Sequence, residues 1–255
     1  MSRVSLQITG ATALLRLENL GKMNAFTLTM LDDLERHLTA IDRDPNICTV
    51  IVTGEGERAF CTGADINAWG GLGAAEFARH WVRDGHRIFD RLARLSKPTI
   101  AALNGHAFGG GLELAAACDL RVMTPSATLA LPEARVGIVP GWSGTQRLTR
   151  LIPEPLVKEM ALFGRRIPSD RAAACGFVVG VSEDVLAMAR GIAGEVEALS
   201  PRATEIAKNM IHAAVGEDRG ASIEALGSAA VAATADRAEG VAAFQDKRKP
   251  VFEGT

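Results

Sequence analysis

The 255-residue sequence predicts an α/β fold on three observations. Short β-like runs such as Thr49-Val50-Ile51-Val52-Thr53 alternate with segments of helical apolar spacing over most of the chain. Residues 99–103 form a second apolar run opened by Pro98, and Gly109-Gly110-Gly111 then leads into a small, apolar helix. Hydrophobic residues make up 47% and charged residues 23%, the balance of a chain able to bury a core.

The elements follow in order. Residues 4–8 and 13–17 alternate around Thr9-Gly10-Ala11, the pattern of a hairpin. Residues 27–41 have helical periodicity and stop before Asp44-Pro45. After the strand at 49–53, Gly54-Glu55-Gly56-Glu57-Arg58-Ala59 fits a loose dinucleotide fingerprint. No helix follows it and two glutamates would face the pyrophosphate, so it reads as an exposed turn. Gly70-Gly71-Leu72-Gly73 is either a hinge beside an opening wall or a leader to the helix expected over 74–95. Strand 99–103, helix 110–118 and strand 120–123 complete the α/β succession. Past Pro153 only 177–181 reads as a strand, and alanine-rich helices are expected over 183–199, 201–215, 223–235 and 238–247. The boundary is placed near residue 197, with a core over 1–197 and a helical module over 198–255.

Charge and composition exclude several functions. A net charge of −2 offers no electrostatic case for nucleic acid or an anionic membrane. No apolar stretch reaches the roughly 18 residues that span a bilayer, and Met1-Ser2-Arg3 runs at once into the first strand, so a cytoplasmic protein is expected. Cys48, Cys61, Cys118 and Cys175 form no CxxC pair and read as reduced, buried thiols. No His/Cys/Asp cluster has metal-ligand spacing.

The glycine run is the first sign of a site. Glycines at a helix start let a ligand atom approach main-chain N–H groups that carry partial positive charge, which suits a phosphate or a developing oxyanion. Glu113, one turn into that helix, would repel a phosphate, and the lysine of a phosphate loop is missing. Beside a developing enolate the same carboxylate can move protons; a tight strand-to-helix turn with a dipole-favouring glutamate is the structural alternative.

Two further segments join it: Phe60-Cys61-Thr62-Gly63-Ala64-Asp65-Ile66, and Leu131-Pro132-Glu133 before Val136-Gly137-Ile138-Val139-Pro140-Gly141. In that order and spacing, from Lys22-Met23-Asn24-Ala25 to Phe244-Gln245-Asp246-Lys247, the sequence resembles the crotonase, or enoyl-CoA hydratase/isomerase, superfamily. The resemblance implies a spiral of ββα units, followed by a C-terminal helical module that builds trimers or pairs of trimers. It also implies an acyl-CoA thioester substrate, with coenzyme A part of that substrate and no tightly bound cofactor. By the same resemblance, the Ala64 and Gly110 amides form an oxyanion hole for the thioester, Glu113 activates water and Glu133 supplies the α-proton. Lys22, Ala25, Ala64, Asp65, Ile66, Asn67 and Gly110 match substrate- and CoA-binding positions, while Phe244 and Lys247 match positions that reach a neighbouring subunit's CoA.

Two carboxylates in one apolar pocket fit the reversible syn addition of water to a 2-trans-enoyl-CoA, giving a 3-hydroxyacyl-CoA. A 3,2-enoyl-CoA isomerase, a dehydratase of an unusual acyl-CoA and a non-catalytic acyl-CoA-binding scaffold are the alternatives. Glu18-Asn19-Leu20-Gly21 stands where an Asn-Arg-Pro-like turn is usual. Trp142 occupies a position commonly small in straight-chain hydratases, as a wall of the acyl pocket or as core. The absence of tyrosine disfavours family branches that use a phenolic hydroxyl. A Ser-His-Asp hydrolase is poorly supported: Gly141-Trp142-Ser143-Gly144 is only faintly like a nucleophile elbow, and His106 reads as a turn or packing histidine.

Overall fold

The computed structural model describes residues 2–217 and 219–255; Met1 and Asp218 lie outside them. The chain divides into two compact units, Met1–Thr204 and Glu205–Thr255.

In the first unit, β1 (Arg3–Thr9) and β2 (Thr12–Glu18) pair antiparallel with Thr9 opposite Thr12. Helix α1 (Leu28–Arg43) starts where the Thr27 hydroxyl accepts the Met30 N–H. It buries Met30, Leu31, Leu34, Leu38 and Ile41, one apolar face at helical spacing.

A repeated unit then builds two sheets. Strands β3 (Thr49–Gly54) and β4 (Ala59–Cys61) lead to α2 (Ile66–Trp69), α3 (Ala74–Glu76), a π-helical stretch over Phe77–Val82 and α4 (Arg83–Ala93). Strands β5 (Thr99–Leu103) and β6 (His106–Phe108) lead to α5 (Gly110–Ala117), and β7 (Leu120–Met123) and β8 (Thr128–Ala130) follow. The first strand of each pair enters a parallel sheet and the second a smaller parallel sheet, which is the ββα spiral. After a 3-10 turn at Glu133–Val136 come α6 (Gly144–Leu151), α7 (Glu154–Ala161), β9 (Ile167–Pro168), α8 (Ser169–Ala174), β10 (Gly180–Val181) and α9 (Val185–Val196). The finished sheets run β1-β2-β3-β5-β7-β10 and β4-β6-β8-β9.

The large sheet is covered on both faces, which is why β3 and β5 are apolar without alternation and buried along their whole length. Leu14, Ile51, Ile100 and Val122 pack against Val185, Ala189 and Ala193 of α9. Their sequence neighbours Leu15, Val50, Val52 and Ala101 face the main core with α1 and α5. Every residue of α5 is buried, in keeping with a helix whose only polar side chain is Glu113.

Three expectations change. Of the four cysteines expected to be buried, Cys48 and Cys175 are only partly so. The helix expected over 74–95 is interrupted by the π-helical stretch. The strand expected over 177–181 shrinks to Gly180–Val181, because the Phe177 carbonyl accepts Arg121 Nε at 2.6 Å and the Phe177 N–H donates to Ala172. Both groups that would have continued a ladder are therefore taken.

In the second unit, α11 (Arg219–Ala232) and α12 (Ala235–Gln245) follow α10 (Pro201–Ala214), inside which the division between the units falls. The Thr234 hydroxyl caps α12 by accepting the Arg237 N–H.

Candidate active site

Three turns of chain meet beneath α5. Gly110 opens the helix after Gly109, whose φ of 50° turns the chain out of β6. Ala64 lies beyond β4, where Phe26 N donates to Gly63 and Asp65 N donates to Phe26. That exchange skips Ala64: among the described residues neither the Ala64 nor the Gly110 N–H has a hydrogen-bond partner. Both residues line one cavity of about 280 Å³, together with Glu113, Glu133 and Trp142.

The carboxylates are held differently. Glu113 is 2% exposed, and its Oε1 accepts the main-chain N–H groups of Trp142 and Gly144, each at 2.8 Å. Burial pushes its pKa up, opposed by those two amides and by the Arg147 charge. Glu133 opens the 3-10 turn after Pro132, and its Oε2 is buried with no hydrogen-bond partner among the described residues. Burial, and then the neighbouring Glu113 charge, raise its pKa to about 7. One carboxyl is gripped by amides while the other keeps its proton close to neutral pH.

Trp142 is at once core and wall. Its ring lies 5.1 Å from Phe89 and 5.3 Å from Trp81, and Nε1 donates to the Trp81 carbonyl at 3.2 Å. The ring edge also closes the cavity beside Gly110, where a methyl group would come 2.7 Å from Trp142 Cζ3. Only glycine allows that approach.

Other singled-out residues surround this centre. Ile66 lines the cavity. Asp65 caps α2 by accepting the Asn67 N–H and pairs with Lys22 at 2.5 Å. Burial works against ionisation of Asp65, but Lys22 and the Asn67 amide outweigh it and hold the carboxyl below its ordinary range. The Ala25 carbonyl accepts Asn19 Nδ2, fixing the turn that carries Lys22. Phe244 and Lys247 are exposed on the second unit, with Lys247 in the left-handed region at φ 54°. His106 lies outside the cavity lining; its Nδ1 accepts the Thr128 N–H, and burial, then Arg166 and Arg58, lower its pKa.

Sequence reasoning missed the aromatic side of the cavity. Trp69 and Phe77, with ring centroids 5.4 Å apart, and Trp81 line it from α2 and the π-helical stretch. Their spacing reads simply as an apolar helix face, and only the wide π turn shows which rings look inward. It also missed the contact between Ser143 and His86, residues far apart in sequence.

Residues 7–255 match the family model described as enoyl-CoA hydratase/isomerase. The crotonyl-CoA hydratase of Syntrophomonas wolfei is 37% identical over 234 residues, covering 90% of each chain. The (E)-benzylidenesuccinyl-CoA hydratase of Thauera aromatica is 34% identical over 257 residues, covering 98% of this chain and 99% of its own. Among solved structures, an enoyl-CoA hydratase from Bacillus anthracis superposes with a TM-score of 0.81 at 35% identity and covers 99% of both chains. With its ββα spiral and a match spanning nearly its whole length, the chain belongs to the enoyl-CoA hydratase/isomerase family.

Proposed function

We propose that this protein is an enoyl-CoA hydratase, a lyase that adds water reversibly to a 2-trans-enoyl-CoA. The observation that carries the reading is the pairing of two unlike carboxyls, Glu113 and Glu133, around one cavity bordered by the free amides of Ala64 and Gly110.

The chemistry follows from that arrangement. The two amides receive the thioester oxygen and stabilise the enolate as charge moves onto it. Glu113, its Oε1 held by two N–H groups, has Oε2 left to take a proton from water attacking the β-carbon. Glu133, with its pKa raised to about 7, delivers a proton to the α-carbon on the same face. Proton uptake and release balance over the cycle, so the reaction needs no tightly bound cofactor.

Lys22, beside Asp65, is the basic group for the CoA phosphates on this chain, and Phe244 and Lys247 serve a neighbouring subunit's nucleotide. Exposed Ile223, Val231 and Phe244 in the helical unit support assembly into trimers or pairs of trimers, which would cover them. Among the described residues no helix is long and apolar enough to cross a membrane, which fits a cytoplasmic site of action.

The test is a panel of 2-trans-enoyl-CoA thioesters, from crotonyl-CoA to longer, branched and aryl-substituted homologues. Loss of the conjugated enoyl-thioester absorbance with formation of the 3-hydroxyacyl-CoA is expected. Binding of the whole panel without turnover would instead make the protein an acyl-CoA-binding scaffold.

A further inference from the structure

Glu113 depends on a piece of backbone that is unfavourable on its own. For the Trp142 and Gly144 amides to reach the same Oε1 atom, the residue between them must turn sharply, and Ser143 does so at φ 77°, ψ 15°. This is the left-handed region, which costs a non-glycine residue about 1 kcal/mol or more. Successive N–H groups bent around such a residue form a concave anion cradle. Here the anion is the Glu113 carboxylate.

The serine side chain supplies what offsets that cost. Ser143 is 6% exposed, and its Oγ lies 2.8 Å from His86 Nδ1 on α4. On the other side of the imidazole, Nε2 lies 3.6 Å from Asp90 Oδ2, one turn further along the same helix. Asp90 in turn pairs with the buried Arg147 of α6, and the Arg147 N–H donates to the Ser143 carbonyl. The left-handed residue is thus tied at its hydroxyl to α4 and at its carbonyl to α6. Trp142, next to it, is anchored independently through Nε1 to Trp81. His86 itself does not line that cavity.

We infer that His86 is a positioning residue for Glu113: by holding Ser143 in the left-handed conformation, it keeps the Trp142 and Gly144 amides on the carboxylate. The mechanistic consequence rests on the hydratase reading above. Without the tie, Ser143 relaxes, one amide swings away, and the base is less well aimed and less stabilised as an anion. Binding of the thioester, which uses the Ala64 and Gly110 amides, is untouched.

The experiment compares H86A, H86N, S143A, S143G and H86A/S143G by crotonyl-CoA kinetics and by the amide resonances of Trp142 and Gly144. H86A and S143A should each lower kcat about tenfold, the size of coupling expected between contacting residues, with KM within about twofold of the parent. H86N, which keeps a polar atom near the Nδ1 position, should recover most of the loss. S143G takes the left-handed turn without help, so adding H86A to it should cost nothing more. The two amide protons should move upfield in H86A and S143A and stay in place in S143G. The proposal is overturned if H86A leaves kcat and both resonances unchanged, or lowers kcat equally beside Ser143 and beside glycine. Should the parent hydrate no thioester of the panel, the hydratase reading fails, and the resonances alone still decide whether His86 holds the cradle.

Discussion

The Gly144 amide donates to Glu113 Oε1 at 2.8 Å, and a methyl group on Gly144 would stand 2.7 Å from Glu113 Cγ. The carboxylate has been packed onto bare backbone. Gly144→Ala should therefore push Glu113 out of place and lower kcat about a hundredfold, the scale for misplacing a catalytic group by an ångström. Steady-state kinetics with a matched binding measurement check this: KM and thioester affinity should change little.

Glu133 makes the site sensitive to pH. In the proposed role of proton donor it must be protonated, so kcat/KM for hydration should fall as pH rises through about 7, the value to which burial lifts its carboxyl. A pH–rate profile whose alkaline limb stays flat well beyond that point would remove Glu133 from the donor role.

The same shift acts on stability. An exposed glutamate releases its proton near 4.5, whereas Glu133 in the fold holds it to about 7, so the folded state binds the proton more tightly between these values. Its contribution is complete below pH 4.5 and is lost as pH climbs to 7. Glu133→Gln removes the dependence, and above pH 7 the variant should be the more stable by up to about 3 kcal/mol. Denaturant unfolding at acid and alkaline pH measures it; equal stability differences at both would contradict the burial argument.

Trp142 is 3% exposed and packs against three aromatic rings while lining the cavity that holds Glu113 and Glu133. Trp142→Ala should destabilise the fold by about 3–5 kcal/mol, and in the surviving folded protein should shift preference toward bulkier acyl groups. Competition between straight-chain and aryl-substituted thioesters reads the second effect. An unmoved preference would make the ring core only.

How much of this was legible in the sequence depends on the range of each interaction. Residues 99–103 and 120–123 are strands with the predicted limits, the first because a continuous apolar run after Pro98 leaves little choice in a doubly covered parallel sheet. The helix read from periodicity over 27–41 forms over Leu28–Arg43, with Thr27 just outside it as the cap. Residues 177–181 failed for the opposite reason: Arg121, distant in sequence, takes the Phe177 carbonyl. The glycine run and Glu113 could be singled out from their residue types and Glu133 only through the family resemblance, yet nothing local said that Trp142 is both core and wall. The left-handed Ser143 and its tie to His86 were invisible, since a serine between tryptophan and glycine carries no mark of positive φ.

The central claim is that Glu113 and Glu133 together add water across the conjugated double bond. Mass spectrometry of the product formed from crotonyl-CoA in isotopically labelled water tests it most directly, comparing the parent with Glu113→Gln and Glu133→Gln. Solvent oxygen at the β-carbon and solvent hydrogen at the α-carbon are expected in the parent, with each substitution slowing their appearance about a hundredfold or more. Hydrogen exchange at the α-carbon without oxygen incorporation, or full rates in either variant, would contradict the account.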